Sequence, residues 1–210
     1  MTRALSLFFV LAATTAMADL QRRTLLDRYV PAAPRKIPVA FFDADSTLRI
    51  TKSGDVAPSD PDDVAVLPLT APKLKELARQ GYFIAIVSNQ GGIDRHLTLQ
   101  DADDCLLRTV ELLRSRGGLV HYYDFAEHYG WLRKPRTGMA EILGDRLEGF
   151  FGEGAAIDWD RSFMVGDSAY KKSETRPDGR PGFDFSNSDR LFADNLEIPF
   201  HEPQDFFGWE

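Results

Sequence analysis

The run Pro38-Val39-Ala40-Phe41-Phe42, followed at once by Asp43-Ala44-Asp45-Ser46-Thr47, decides how the chain is read. A short continuous apolar run bounded by turn formers predicts a strand buried on both faces. Two carboxylates at i and i+2 then leave its end and aim acceptors into one cleft. Ionising both is costly unless a cation sits between them or one is protonated. The layout recurs along the chain. Tyr82–Val87 (YFIAIV) runs into Ser88-Asn89-Gln90-Gly91-Gly92, and Phe163–Val165 runs into Gly166-Asp167-Ser168. Leu119–Phe125 and Ile198–Phe200 read as two further strands.

Helical patterns alternate with these runs. Thr70–Gln80 places Leu74 and Leu77 on one face, with Thr70 as a cap, Pro72 in the first turn and Gly81 as the stop. A second helix starts at Thr98, with Asp101 spaced for a capping box and a stripe of Cys105, Leu106, Thr109, Leu112 and Leu113. Met139–Phe151 and Asp189–Leu196 complete the set, and the polar stretch Thr51–Asp63 reads as a loop. Strands alternating with amphipathic helices predict an α/β fold: a Rossmann-like parallel sheet with helices on both faces. Right-handed crossovers bring the strand C-termini to one edge, where ligands bind in such sheets.

Composition narrows the function classes. The chain has 210 residues, 43% hydrophobic and 27% charged, which excludes a disordered, collagenous or multi-span membrane protein. Its one cysteine excludes an internal disulfide framework, and its place on the helical stripe makes Cys105 a buried structural thiol. The net charge of −7 argues against a general nucleic-acid coat. The opening reads as an address. Arg3, the apolar stretch Ala4–Ala16 and Ala16-Met17-Ala18 form a secretory signal peptide over residues 1–18. That stretch is too short to cross a hydrocarbon core of about 30 Å. The expected mature chain is therefore secreted or periplasmic, with no stable membrane insertion and a net charge of −8, since residues 1–18 carry one Arg and no acid. Residues 19–36 read as an extension and 37–210 as the domain.

Each motif is weighed against competing chemistry. An EF-hand loop from Asp43 would place Leu48 where the turn needs Gly and Gly54 where it needs a bidentate Glu. Gly166-Asp167-Ser168 lies too late in the chain for an esterase nucleophile. His96, His121, His128 and His201 have no metal-ligand spacing. Arg133-Lys134-Pro135-Arg136-Thr137-Gly138, with Thr137 as a cap, puts a cation at a helix N-terminus, a place that favours anions.

In order along the chain, Asp-x-Asp-x-Thr, Ser after a strand, Lys, and Gly-Asp resemble the haloacid dehalogenase phosphatase superfamily. Ile86–Ile93, Lys134–Met139 and the tail Asp184–Asn195, with Ile198–Phe200 and Glu202–Phe207, are similar to blocks of its polynucleotide kinase 3′-phosphatase group. The resemblance implies Asp43 as nucleophile and Mg²⁺ ligand. It implies Asp45 as general acid and base, with its backbone carbonyl on the metal, and Asp167 completing the metal site. Ser88, Asn89 and Lys134 would hold the phosphoryl group, with Thr47 and Asp189 in support. Ser46 departs from the group's usual Gly, Ala44 is smaller than usual, and Ser168–Lys171 departs from the run after Gly-Asp. There is no kinase phosphate loop.

No interval has room for a large cap domain, which leaves an open site suited to the end of a large molecule. The leading expectation is a secreted Mg²⁺-dependent phosphatase of 3′-phosphorylated DNA or oligonucleotide ends. Its cations, Arg133, Lys134, Arg136, Lys171, Lys172, Arg176 and Arg180, flank the later motifs. The alternatives are a small-molecule phosphatase acting on a sugar bisphosphate, histidinol phosphate or nucleotide, and a phosphate- or metal-binding module without turnover. No protein partner is indicated.

Overall fold

The structure, a computed structural model, describes residues 35–209; the expected signal peptide and nearly all of the extension lie outside them. Five strands form the main sheet: β2 (Val39–Phe42), β5 (Phe83–Asn89), β6 (Tyr122–Ala126), β8 (Phe163–Val165) and β9 (Phe200–His201). Their order is β6-β5-β2-β8-β9 and every pairing is parallel. The strand that leads into Asp43 is therefore central, with Phe42 level with Ile86 on one neighbour and Val165 on the other.

Alternation along these strands feeds two cores. Ala40, Phe42, Ile84 and Ile86 pack with α1 (Thr70–Arg79) and α2 (Leu99–Ser115). Val39, Phe41, Phe83, Ala85 and Val87 pack with α3 (Gly138–Phe151) and α4 (Ser188–Asn195). Helices thus cover both faces. A terminal turn, α5 (Pro203–Phe207), closes the first core with Phe206 and Phe207 against Phe42. Among the described residues no helix is long and apolar enough to cross a membrane.

The α2 capping box is present: the Thr98 hydroxyl accepts from Asp101 N–H (3.1 Å), and the Asp101 carboxylate accepts from Thr98 N–H (3.0 Å). Other boundaries differ from expectation. The α1 cap position is Leu69, in the left-handed region at φ 63°, while the Thr70 hydroxyl donates to Leu67 O (2.7 Å). Thr137 offers no side-chain cap to α3, because its hydroxyl bonds Glu141 instead. The third strand begins at Tyr122 rather than Leu119, and the last is Phe200–His201.

Four strands were not expected as such. β1 (Lys36–Ile37) pairs in parallel with β7 (Ala156–Ile157). β3 (Arg49–Thr51) pairs antiparallel with β4 (Val64–Val66), so the polar stretch between them is the tip of a small hairpin directly after the first motif. That hairpin is far smaller than a cap domain.

Candidate active site

All the strand-end motifs meet at one edge of the sheet. Asp43, Asp45, Ser88, Asn89, Lys134, Asp167 and Asp189 line a single cleft of about 880 Å³. Thr47 stands behind it, fully buried, its hydroxyl without a hydrogen-bond partner among the described residues. Asp43 is anchored at the centre by its N–H, which donates to Val165 O (2.9 Å).

Lys134 organises the floor. Its side chain is 1% exposed, and its Nζ lies 2.6 Å from Asp43 Oδ1 and 2.7 Å from Asp189 Oδ1. Burial alone would push this ammonium down, but the two carboxylates outweigh burial and hold it above the ordinary lysine value. Asp189, at the start of α4, also accepts from Ser168 N–H (3.0 Å) through Oδ2. Gly166 makes that approach feasible, since a Cβ there would lie 2.4 Å from Asp189 Oδ2. Asn89 spends both ends of its amide on the Lys134 backbone, donating to its carbonyl (3.0 Å) and accepting from its N–H (2.9 Å). Its side chain therefore positions the lysine.

Carboxylates remain in excess. Asp43, Asp167 and Asp189 each present an oxygen within 4.8 Å of the others, with Lys134 beside them. Burial, with the charges of Asp189 and Asp45, pushes Asp43 up to about 7 against the pull of Lys134. Burial, with Asp43 and Asp189, pushes Asp167 up to about 8. An all-oxygen, over-charged and half-enclosed cluster fits a hard divalent cation.

Two residues that carried no expected role hold Asp45. Arg49 is fully buried; its Nε donates to Asp45 Oδ1 (2.8 Å) and its Nη1 to Thr109 Oγ1 on α2 (3.2 Å). Gln90 Nε2 donates both to Asp45 Oδ2 (3.1 Å) and to Ser88 Oγ (2.8 Å). Arg49 lies four residues after Asp45, and that spacing is the one signal in the sequence that could have found it. Ser46 takes up φ 56°, a left-handed conformation that favours glycine, with its N–H bonded to Arg49 O (2.8 Å).

The flanking cations are less free than their number suggests. Arg176 pairs with Glu202, and Arg180 with Asp178. Arg133 lies over the Tyr129 ring (4.6 Å), and Arg136 donates to Gly130 O (2.8 Å). Of the histidines, His121 is buried with Nδ1 accepting from Ile84 N–H (2.8 Å), and His96 lines the cleft. Cys105 is fully buried, and its thiol is pushed up to about 11 by burial.

Two expectations follow. Arg49→Met removes one partner of a pair whose other member is 22% exposed, and should cost about 3 kcal/mol in denaturant unfolding. The same change should lower kcat roughly 10- to 100-fold as Asp45 loses its orientation, with a smaller effect on KM. The second concerns pH. Native Asp43 and Asp167 hold protons more tightly than ordinary carboxylates near 3.8, so their ionisation in the metal-free protein opposes folding as pH rises toward 7 to 8. Metal-free Tm should fall between about pH 5 and about pH 8.5, and Mg²⁺ should raise Tm more at the upper end. A flat difference across that window would show that these groups do not share a cation.

Residues 38–207 match the family model described as polynucleotide kinase 3 phosphatase. An uncharacterised 20.8 kDa protein of Autographa californica nuclear polyhedrosis virus is 33% identical, over 90% of this chain and 96% of its own length. A bifunctional polynucleotide phosphatase/kinase of Schizosaccharomyces pombe is 32% identical over 79% of this chain, which spans 36% of that protein. A D-glycero-beta-D-manno-heptose-1,7-bisphosphate 7-phosphatase of Rhodopseudomonas palustris is 28% identical over 75% of this chain and 88% of its own. Among solved structures, a HAD-like phosphatase of Mesorhizobium loti superposes with a TM-score of 0.66 at 21% identity, over 89% of this chain and 88% of that one. With the parallel sheet and its strand-end carboxylates, these matches place the chain in the polynucleotide kinase 3 phosphatase family of haloacid dehalogenase-like phosphatases.

Proposed function

We propose that this phosphatase removes the 3′-phosphate from DNA or other oligonucleotide ends. The observation that carries the reading is the open cleft around Asp43, edged by the small β3–β4 hairpin and the segment before α4 with no cap domain among the described residues, in a chain that matches the family model over 38–207. A polymer end can reach such a floor, whereas a small substrate would ordinarily be enclosed.

Asp43 attacks the phosphorus, the bond to the 3′-oxygen breaks, and Asp45 gives that oxygen its proton. Asp45 then takes a proton from water as the water oxygen attacks the aspartyl phosphate, which releases inorganic phosphate and restores Asp43. Lys134 and Ser88 hold the transferring oxygens where negative charge builds up. Mg²⁺, held by Asp43, the Asp45 carbonyl and Asp167, would supply charge neutralisation to a reaction whose uncatalysed rate is extremely low. Asp189 supports this arrangement by keeping Lys134 beside Asp43.

The heptose-bisphosphate relative supports a second reading, and the polar cleft wall of Asp55, Ser59 and Ser186 could bond sugar hydroxyls. A matched panel of oligonucleotide 3′-phosphate, 5′-phosphate, mononucleotide and heptose 1,7-bisphosphate separates the two. Release from the 3′-phosphate end should dominate, should stop with EDTA, and should fall by roughly 10⁴-fold or more in Asp43→Asn. Dominant turnover of the heptose would reverse the assignment. We also propose export to a periplasmic or extracellular space. The test is the intact mass of the protein recovered outside the cytoplasm, which should begin at Asp19; recovery with residues 1–18 attached would argue against it.

A further inference from the structure

The two most exposed large apolar side chains among the described residues, Val56 and Phe185, are each 92% exposed, and both line the catalytic cleft. Phe183, 59% exposed, lines it as well. Apolar groups left in water at the rim of a polar cleft mark a place where something else is meant to cover them. None of the chemistry assigned to Asp43, Asp45 or Lys134 uses them.

Phe185 is not held out by a slack loop. The neighbouring Asp184 carboxylate accepts from Ala169 N–H (3.0 Å) and Tyr170 N–H (2.8 Å). Its backbone N–H donates to Tyr170 O (3.0 Å), and Lys172 N–H donates to its carbonyl (3.2 Å). Gly182 presses so closely on this segment that a Cβ would meet Lys171 O at 2.1 Å. Lys172 Nζ stands 4.9 Å from the centre of the Phe185 ring, a cation over one face of an otherwise open aromatic plate. The plate and the Asp43–Lys134 floor line one cleft, and Lys172 stands against the plate.

Resting on the reading above that the substrate is an oligonucleotide end, we infer that Phe185 is a stacking platform for the base of the 3′-terminal nucleotide, with Lys172 beside the phosphodiester that leads away from it. Every base has a π-face to offer such a ring, so the grip is independent of sequence, and the cation supplies the backbone contact. Val56, at the tip of the β3–β4 hairpin, gives the same cleft a second apolar contact for the nucleoside.

The test uses the full protein and two oligonucleotide 3′-phosphates that differ only in the last residue, one with a base and one with a tetrahydrofuran abasic analogue. Wild type should prefer the base-bearing end in kcat/KM by roughly 5- to 100-fold, the range of one stacking contact. Phe185→Ala should bring that ratio near one, mainly through KM, and Phe185→Trp should restore it. Lys172→Gln should flatten the salt dependence of KM for both ends. An undiminished base preference in Phe185→Ala, or no preference in wild type, would overturn the platform while leaving the 3′-phosphatase reading intact. Turnover of heptose 1,7-bisphosphate with no release from either oligonucleotide would overturn that reading instead.

Discussion

Everything at this site depends on one buried ammonium held between two carboxylates from different parts of the chain. Lys134 comes from the segment before α3, Asp43 from the end of β2 and Asp189 from the start of α4. None of these charges is affordable alone in so dry a place, and each becomes tolerable only when the others are within hydrogen-bond reach. The pairing therefore constrains the surrounding backbone. Asn89 fixes Lys134 from β5, and Gly166 gives up a side chain so that Asp189 can lie against the β8 turn. The central position of β2 lets one residue, Asp43, serve as the meeting point of elements from both flanks of the sheet.

A second, separate tether governs Asp45. Its carboxylate is turned toward Arg49 and Gln90, and Gln90 in turn reaches Ser88. The two aspartates of the first motif, two residues apart in sequence, thus sit in different electrostatic surroundings: one beside a lysine and two more acids, the other beside a guanidinium and an amide. Contrasting environments for paired carboxylates are how a site divides nucleophilic from acid–base work.

Much of this was legible in the sequence. The runs PVAFF and YFIAIV announce themselves because strands buried on both faces have no polar alternation to hide in. The residues at their ends share one cleft because the parallel topology brings the strand C-termini to one edge. Thr98 and Asp101 were readable as a cap because both bonds are local. What was hidden depends on distant partners. Two-residue pairings such as β1 with β7 carry no periodicity at all. Arg49 looks like an ordinary surface charge until Thr109 from α2 is brought beside it. Asn89 reads as a phosphate ligand from the motif around it, yet tertiary contact engages its amide with the Lys134 backbone. Thr70 and Thr137 have the composition of caps, but local hydrogen bonds to Leu67 and Glu141 claim their hydroxyls.

Cys105 has a practical meaning beyond its place in the core. The thiol is the chain's one cysteine, it lies on α2 one turn before Thr109, and Thr109 Oγ1 donates to its carbonyl (2.8 Å). With its thiol pushed up to about 11 and no surface exposed, it reacts with alkylating reagents only when α2 opens away from the sheet. That same opening releases Thr109 from Arg49, and with it the support behind Asp45. The rate at which a single thiol is labelled in the native protein is therefore a clock for the local opening that loosens Asp45.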